Sequence, residues 1–420
     1  MGTRTYHDPL HGAIRLDRDL PAEALLVQLI DTPPFQRLRR IRQLGPAYLT
    51  FHGAESSRFT HSLGVLQLAR QALAELSRHR PELQQHAGVL YAAALLHDVG
   101  HGPLSHTGEE MFGLHHESWS GRLIREHPAL REPLEAFSPG CADAVANLLE
   151  RGFYTNPAIK ALVSSQLDCD RLDYLLRDSY STGTSYGQLD LERILACLTL
   201  APDGQLALHP KGLMAVEHYL VVRNLMYRSV YNHRLNVVCN WLLIRCIALA
   251  RQLGPEQVWS DAVLARWLWE PQQLGLSDFL ANDDHRTSYH LQRWSEDGPA
   301  PLQELSRRLL DRRLLHATDV SALNPGRRLA LLALARRLSE QIGLQPDLCC
   351  VLDQQQNHGY HPYRGGLRLW DGLHLGALEQ RSALVRSLIQ PTETAWLIHP
   401  PEVSETLRRE LDLEANGGSA

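Results

Sequence analysis

The sequence predicts a mainly α fold with a small β-hairpin and a mixed α+β C-terminal lobe. Three patterns carry that reading. Apolar residues recur at helical spacing over most of the first 255 positions, the signature of helices with one buried face. The stretch 196–210, ACLTLAPDGQLALHP, has strand-like runs on either side of Pro202-Asp203-Gly204 and predicts the hairpin. Past Gly254, short amphipathic helices give way to short apolar runs at 347–353, 366–370 and 394–398, which read as strands.

The elements follow in order. Residues 22–30 and 33–43 have helical spacing, with Pro33-Pro34 at a helix start. Residues 61–78 form an amphipathic helix, and 86–98 (HAGVLYAAALLHD) a buried one that Gly100, Gly102 and Pro103 bring to an end. A further helix is expected over 156–179 and a long one over 213–252. Several short helices are expected over 256–342, with SEDGPAP (295–301) as a linker and 354–366 as a polar loop. This divides the chain into a catalytic body at 1–255, a lobe for assembly or regulation at 256–412, and a disordered tail at 413–420.

Composition excludes several classes. With 420 residues, 44% apolar and 21% charged, the chain is neither disordered nor fibrous. No apolar run is long enough for a membrane span. The start, MGTRTYHDPLHGAIRL, has no apolar signal core, so a cytoplasmic protein is expected. The seven cysteines form no CxxC pair and are expected to be reduced thiols. A net charge of −5 gives no general field for nucleic acid, so such a partner is not indicated.

The chemistry concentrates in LLHDVGHGPLSH, residues 95–106. His97 and Asp98 end a buried apolar helix, where a carboxylate is costly unless paired or bound to a metal. His61, in RFTHSLGV, and Asp170, in LDCDRLDYLLRD, supply two further ligands. Imidazole with carboxylate suits Mn, Fe, Mg or Zn. Around this set stand His101, His106, Glu109, His116 and Glu117. Phosphoester hydrolysis needs an activated water on one side and a proton for the leaving oxygen on the other. Glu109, three residues after His106, is placed to orient that imidazole. His115, His52, His79 and His86 read as surface or structural. On the following helix, Asp170, Tyr174 and Asp178 share one face, and Asp173, one residue off it, reads as structural. Arg223, Tyr227 and Tyr231 repeat four apart, which places them on a second wall or in an ordinary amphipathic seam.

Taken together, DPLHGAIRL, IDTPPFQRLRRIRQLG, SSRFTHSLGV, LHDVGHGPLSH, HHES, LDCDRLDYLLRD and RNLMYRSVYNH resemble the HD-domain phosphohydrolases. They resemble most the SAM-and-HD-domain deoxynucleoside triphosphate triphosphohydrolases and their bacterial relatives, over about residues 4–250 and without the SAM domain. The resemblance implies an HD-domain helical core, metal ligation by His61, His97, Asp98 and Asp170, and catalytic roles for His101, His106, Glu109, His116 and Glu117, with His106 as the general acid. It matches Arg58, Arg171 and Arg223 to groups on the triphosphate, and Gln43 and Asp178 to groups on the sugar 3′-OH. Leu44 matches a residue beside the base, and Tyr174 and Tyr231 match rings packed on the sugar. Tyr227 stands where the animal relatives have a histidine, and Arg171 where a lysine is expected.

The resemblance further implies a homo-oligomer, dimer or tetramer, activated by dGTP or GTP between subunits. The guanine-reading part of that regulatory site matches Asp31, Gln36 and Arg39, Arg4 keeps a basic residue, and Arg193 and Arg234 match further basic positions. His7 replaces an Asn. An N-cap for the helix after Thr32 also accounts for Asp31, and a solvated basic face for Arg39. The expected activity is hydrolysis of a dNTP to deoxynucleoside and inorganic triphosphate. Two other readings fit the residues: a different HD-type nucleotide phosphatase, phosphodiesterase or nuclease, and a nucleotide-sensing module with little turnover.

Overall fold

A computed structural model describes residues 2–362 and 366–417. The chain opens with an antiparallel hairpin, β1 (Thr3–Asp8) and β2 (Gly12–Asp17). Its turn, DPLHG, is closed by Asp8, whose carboxylate accepts from the amides of Leu10 and His11 at 2.9 and 3.0 Å. Ile14 and Leu16 of β2 point into the core. Helices α1 (Pro21–Ile30) and α2 (Pro33–Arg37) follow. The helix expected over 33–43 is shorter: it tightens to a 3₁₀ turn at Leu38–Arg40 and ends in extended backbone at Ile41.

Three helices form the centre of the body. They are α3 (Arg58–Ser77), α4 (Ala87–Leu96) and α10 (Cys169–Thr182), with α3 packed against the other two. Every residue of α4 but Ala87 and Val89 is buried, as its all-apolar sequence demands. Between α4 and α10 lie α5 (His106–Phe112), α6 (His116–Glu126), α7 (Pro128–Phe137), α8 (Cys141–Arg151) and α9 (Pro157–Val163). The single helix expected over 156–179 is therefore two. Ser164–Leu167 breaks it, because the Asp168 carboxylate accepts from the amides of Ser165 and Arg171, each at 2.9 Å, and caps a new helix.

After α11 (Leu191–Ala196) comes the hairpin β3 (Leu198–Leu200) and β4 (Leu206–Leu208). The helix expected over 213–252 is also divided, into α12 (Leu213–Met226) and α13 (Arg234–Leu253). A π-helical turn, Tyr227–Tyr231, joins them with Asn232 and His233, and the His233 side chain caps α13 at Leu235. Such turns widen a helix locally and recur at functional sites.

The later region holds α14 (Ala262–Trp269), α15 (Leu276–Leu280), α16 (Asp284–Asp297), α17 (Ala300–Leu310) and α18 (Pro325–Gln341). The expected linker 295–301 is a tight corner at Gly298-Pro299 between α16 and α17, which pack on each other. Strands β5 (His316–Asp319), β6 (Val351–Asn357) and β9 (Thr392–His399) form one sheet in the order β5-β9-β6. Gln354–Asn357, expected as loop, belongs to β6; an edge strand tolerates polar residues because one side faces water. Tyr363, Arg364 and Gly365 of that expected loop lie outside the described residues. Strands β7 (Arg368–Trp370) and β8 (Leu375–Ala377) extend the β3–β4 hairpin, β7 pairing with β4 at Leu208–Leu369. Short helices α19 (Leu378–Arg381) and α20 (Ala383–Ser387) precede β9.

The last helix, α21, runs Ser404–Gly417. Residues 413–417, expected as disordered, are thus helical in backbone, continuing the helix-forming run SETLRRELDLEA; residues 418–420 lie outside the described set. Among the described residues no helix is long and apolar enough to cross a membrane. All seven cysteines are free and buried.

Candidate functional site

The four expected metal ligands come from three elements and converge. His61 lies on α3, His97 and Asp98 follow α4, and Asp170 opens α10. His61 Nε2 is 3.0 Å from Asp170 Oδ1, 3.2 Å from His97 Nε2 and 3.6 Å from Asp98 Oδ2. His97 Nε2 is 3.4 Å from Asp98 Oδ1. His61, His97 and Asp170 bring their donor atoms together in a way that could hold a divalent cation, and Asp98 adjoins both imidazoles. Burial opposes the Asp98 charge, but the Arg58 guanidinium, 2.6 Å away, holds its carboxyl well below the usual carboxylate range.

Behind the ligands lies a network that the sequence reading passed over. Asp173, read as merely structural, has its Oδ2 2.7 Å from His61 Nδ1 and thereby fixes the ring and its tautomer. The same carboxylate accepts from Arg177 and lies 2.6 Å from His11 Nε2, and Arg177 reaches on to Asp8 at 2.9 Å. The first hairpin is thus tied to the metal ligands. Gly64, one turn after His61, makes room: a Cβ there would lie 1.9 Å from Asp173 Oδ1.

The second cluster centres on Glu109. Its Oε1 is 2.9 Å from His106 Nδ1 and 2.7 Å from His116 Nδ1. Burial opposes its charge, but these two hydrogen bonds hold the carboxyl far below its ordinary value. Burial also opposes protonation of His116, yet the Glu109 contact wins and raises it. His101 is fully buried and stacked on His116 with centroids 4.0 Å apart. Burial pushes its pKa well down, with Nε2 3.3 Å from Asp98 Oδ1 and Nδ1 3.6 Å from Glu109 Oε1. These groups could in principle hold a second ion, but rings stacked within 10° of parallel point their lone pairs alongside each other rather than at one centre. The arrangement suits proton handling better. His106 is exposed at the cleft; Glu117 is exposed in the first turn of α6.

Both clusters open on one cleft of about 460 Å³. Gln43, Leu44, Arg58, Arg171, Tyr174, Asp178, Tyr227 and Tyr231 line it. Arg171 is held by Asp168 and by the Ser165 carbonyl, the latter at 2.6 Å. Tyr231 donates to Asp178 Oδ2 at 2.9 Å, while Asp178 Oδ1 is buried without a partner. Burial pushes the Asp178 carboxyl up to about 7, with Tyr231 opposing. Arg223 is not among the lining side chains: it stands behind Tyr227, 5.8 Å from the ring centroid. Sequence reasoning also missed the lining residues Thr107, Asn236 and Asn240.

The region after Gly254, expected to serve assembly, reaches into this cleft's framework. Asp284, at the start of α16, accepts from the amides of Leu104 (2.7 Å) and Arg42 (3.0 Å). Arg37, fully buried, links the Asn282 carbonyl to that of His101. Leu104 and Ser105 have φ of 61° and 57°, a region that costs a non-glycine residue roughly 1–3 kcal/mol. Ser105 Oγ accepts from Arg58 at 2.8 Å and donates to the Arg42 carbonyl at 2.6 Å. The carboxylate of Asp284 therefore holds the two backbone segments that set Arg58 and His106.

Of the expected regulatory residues, four are close together. Arg4 pairs with Asp31, so Asp31 serves an arginine rather than capping the helix after Thr32. Gln36 donates to the Ile30 carbonyl and accepts from Arg39, whose guanidinium lies 3.5 Å from the Phe59 ring centroid. Arg193 bonds the Lys211 carbonyl and Arg234 is exposed on α13; neither contacts the other four.

Comparison with known proteins identifies the family. The HD domain matches residues 58–178, and the HD associated region matches 189–399. The Bacillus subtilis protein YwfO is 34% identical over 95% of this chain and 92% of its own. The deoxynucleoside triphosphate triphosphohydrolase SAMHD1 of Gallus gallus is 30% identical over 55% of this chain, which spans 43% of that protein's length. A crystal structure of a phosphohydrolase from Bacteroides thetaiotaomicron superposes with a TM-score of 0.81 at 27% identity, covering 94% of this chain and 99% of that one. With both models matched and these relatives alongside, the chain belongs to the HD-domain phosphohydrolases that carry an HD-associated region.

Proposed function

We propose that the protein is a metal-dependent dNTP triphosphohydrolase, releasing a deoxynucleoside and inorganic triphosphate. One observation supports this reading: His97, Asp98 and Asp170, the histidines His101, His106 and His116, two arginines and a wall of phenols line a single cleft, with His61 and Glu109 directly behind them. Its support from relatives is the likeness to SAMHD1.

A divalent cation held by His61, His97, Asp98 and Asp170 would polarise a phosphoryl oxygen and lower the pKa of the attacking water. Asp173 and Ala94 O keep the two imidazoles in register for it. Arg58 and Arg171 neutralise the triphosphate as charge redistributes. Attack at the α-phosphorus breaks its bond to the 5′ oxygen. His106, oriented by Glu109, gives that oxygen its proton; His116, kept protonated by the same carboxylate, stabilises the developing charge beside it. Tyr174 and Tyr231, with ring centroids 5.9 Å apart, pack on the deoxyribose and leave no room for a 2′-OH. Asp178 and Gln43 hold the 3′-OH. The Arg4–Asp31–Gln36–Arg39 cluster takes an activating dGTP or GTP at a subunit contact, in a dimer or tetramer.

The test is a panel of dNTPs and NTPs with Mn or Mg, singly and mixed, with products resolved by mass spectrometry. Triphosphate and deoxynucleoside are expected, and Asp98→Ala abolishes them. A metal-loaded, folded protein that cleaves none of the panel refutes the reading.

A further inference from the structure

Besides its charged end, the cleft has a neutral corner that the reaction does not use. The 3₁₀ turn Gly45–Leu49 supplies Gly45 and Ala47, α5 supplies Thr107, and α13 supplies Asn236 and Asn240. None carries charge. The corner is closely built: at Gly45 (φ +53°) a Cβ would lie 2.7 Å from the Leu104 carbonyl oxygen and 3.2 Å from Thr107 Oγ1.

The two asparagines are prepared differently. Asn236 Nδ2 donates to the Val230 carbonyl at 2.7 Å. A carbonyl only accepts, so this bond fixes which way the amide points. Its Oδ1 is left buried without a partner, in a residue only 5% exposed. An orphaned buried acceptor is costly and rare. Asn240, one turn further along α13, accepts from Thr107 Oγ1 at 2.8 Å, which leaves its Nδ2 group as the free function. Residues four apart on a helix stand about 6 Å from each other. The corner thus offers an acceptor and a donor side by side.

We infer that Asn236, with Asn240, reads the N–H-bearing edge of the substrate's nucleobase. The inference rests on the dNTP reading above. The phosphates belong at the arginines and the metal donors, the sugar at the phenols, and the neutral corner receives what remains. Each natural base presents a ring or exocyclic N–H next to an acceptor. The corner therefore accepts all four, and selects for an unblocked edge rather than for one base. A site built to bond an N–H rejects an analogue lacking it more strongly than an apolar pocket rejects a change of size.

The experiment compares kcat/KM for thymidine triphosphate and its N3-methyl analogue, and for deoxyguanosine triphosphate and its N1-methyl analogue. It uses the full-length, Mn-loaded wild type, Asn236→Ala and Asn240→Leu. The wild type is expected to disfavour the methylated analogues roughly ten- to a hundredfold. In Asn236→Ala the natural substrates lose about that factor, the analogues do not, and discrimination falls towards unity. Asn240→Leu leaves Asn236 and its Val230 contact in place and is expected to weaken natural and methylated nucleotides alike, keeping the discrimination; the wild-type comparison needs no variant. Natural and methylated nucleotides cleaved alike by the wild type, or discrimination retained in Asn236→Ala, would overturn the inference and leave the dNTP reading standing. Failure to cleave any natural dNTP overturns that reading, and the inference with it.

Discussion

Asp284→Ala is the sharpest perturbation, because it alters chemistry from a residue that touches neither metal nor substrate. The wild-type carboxylate accepts from two amides, of Leu104 and Arg42, and its side chain is 2% exposed. Each buried N–H left without a partner costs about 1–3 kcal/mol. A loss of roughly 2–6 kcal/mol follows, reduced to the extent that Leu104 and Ser105 relax from their positive φ. That relaxation moves Ser105 Oγ and so Arg58, together with His106 at the next position. A displacement of about 1 Å of a proton donor is worth up to about 100-fold in rate. None of the proposed metal ligands is replaced, and Arg58 keeps its reach to Asp98 if its shift is small, so metal stoichiometry is expected to be retained. The assay measures urea stability, metal content, and kcat on two substrates: a dNTP, and an aryl phosphodiester such as bis(4-nitrophenyl) phosphate, whose leaving group needs no proton. We expect about a 100-fold loss on the nucleotide, less than about 5-fold on the aryl ester, and partial recovery in Asp284→Asn, which keeps one accepting oxygen. Equal losses on both substrates, or full activity in a destabilised protein, would refute the positioning role.

Three further outcomes follow from the same geometry. Gly64→Ala places a methyl where the Asp173 carboxylate lies, 1.9 Å from Oδ1; displacing the group that orients His61 lowers metal affinity about 10- to 100-fold, read by competition with a fluorescent chelator, and unchanged affinity contradicts that role. Asp178 is held up to about 7 by burial, against about 3.9 unfolded. Its folded pKa is raised, so its contribution is complete below the unfolded value and lost as pH rises through 7. Metal-free wild type should therefore lose on the order of 4 kcal/mol relative to Asp178→Asn between pH 4 and pH 8; parallel denaturation curves across that range would rule it out. Adding dGTP or GTP is expected to shift the mass in light scattering toward a tetramer, and Asp31→Ala, which releases Arg4, to prevent it; a monomer with full activity in the presence of either nucleotide speaks against nucleotide-bridged assembly.

What could be read before the structure was local chemistry, and what could not was support. His97 and Asp98 were visible because a buried apolar helix ends in two groups that water or a metal must satisfy. The Glu109–His106 contact was visible because three residues make nearly one helical turn. The break at Ser164–Leu167 was hidden: helical periodicity runs through it, and only the Asp168 carboxylate turning back to two amides ends one helix and starts another. The π-turn at Tyr227–Tyr231 was hidden for a like reason, since five phenol-rich positions look helical until Tyr231 must reach Asp178. Asp173 shows the limit most clearly. It sits one residue off the face of Asp170 and Tyr174, and face-counting dismissed it. Arg177 is its i,i+4 partner on α10, but His11 and His61 lie on other elements, and no spacing rule connects them to it. Arg177 four residues on, and the small Gly64 one turn from a proposed metal ligand, were the sequence signals available.

The same distinction bears on what the associated region does for the HD domain in this chain. The proposed metal ligands come from α3, the end of α4 and α10, and α3 packs against the other two. The proposed proton donor is different. His106 follows two residues in unfavourable backbone conformations, and left alone that segment would relax away from the ligands. What opposes relaxation comes from beyond Gly254: the Asp284 carboxylate on Leu104 N and Arg42 N, and the Asn282 carbonyl acting through Arg37 on His101 O. On the proposed reading the cation's ligands come from before Gly254, while contacts from beyond it brace the segment that carries His106, the proposed acid.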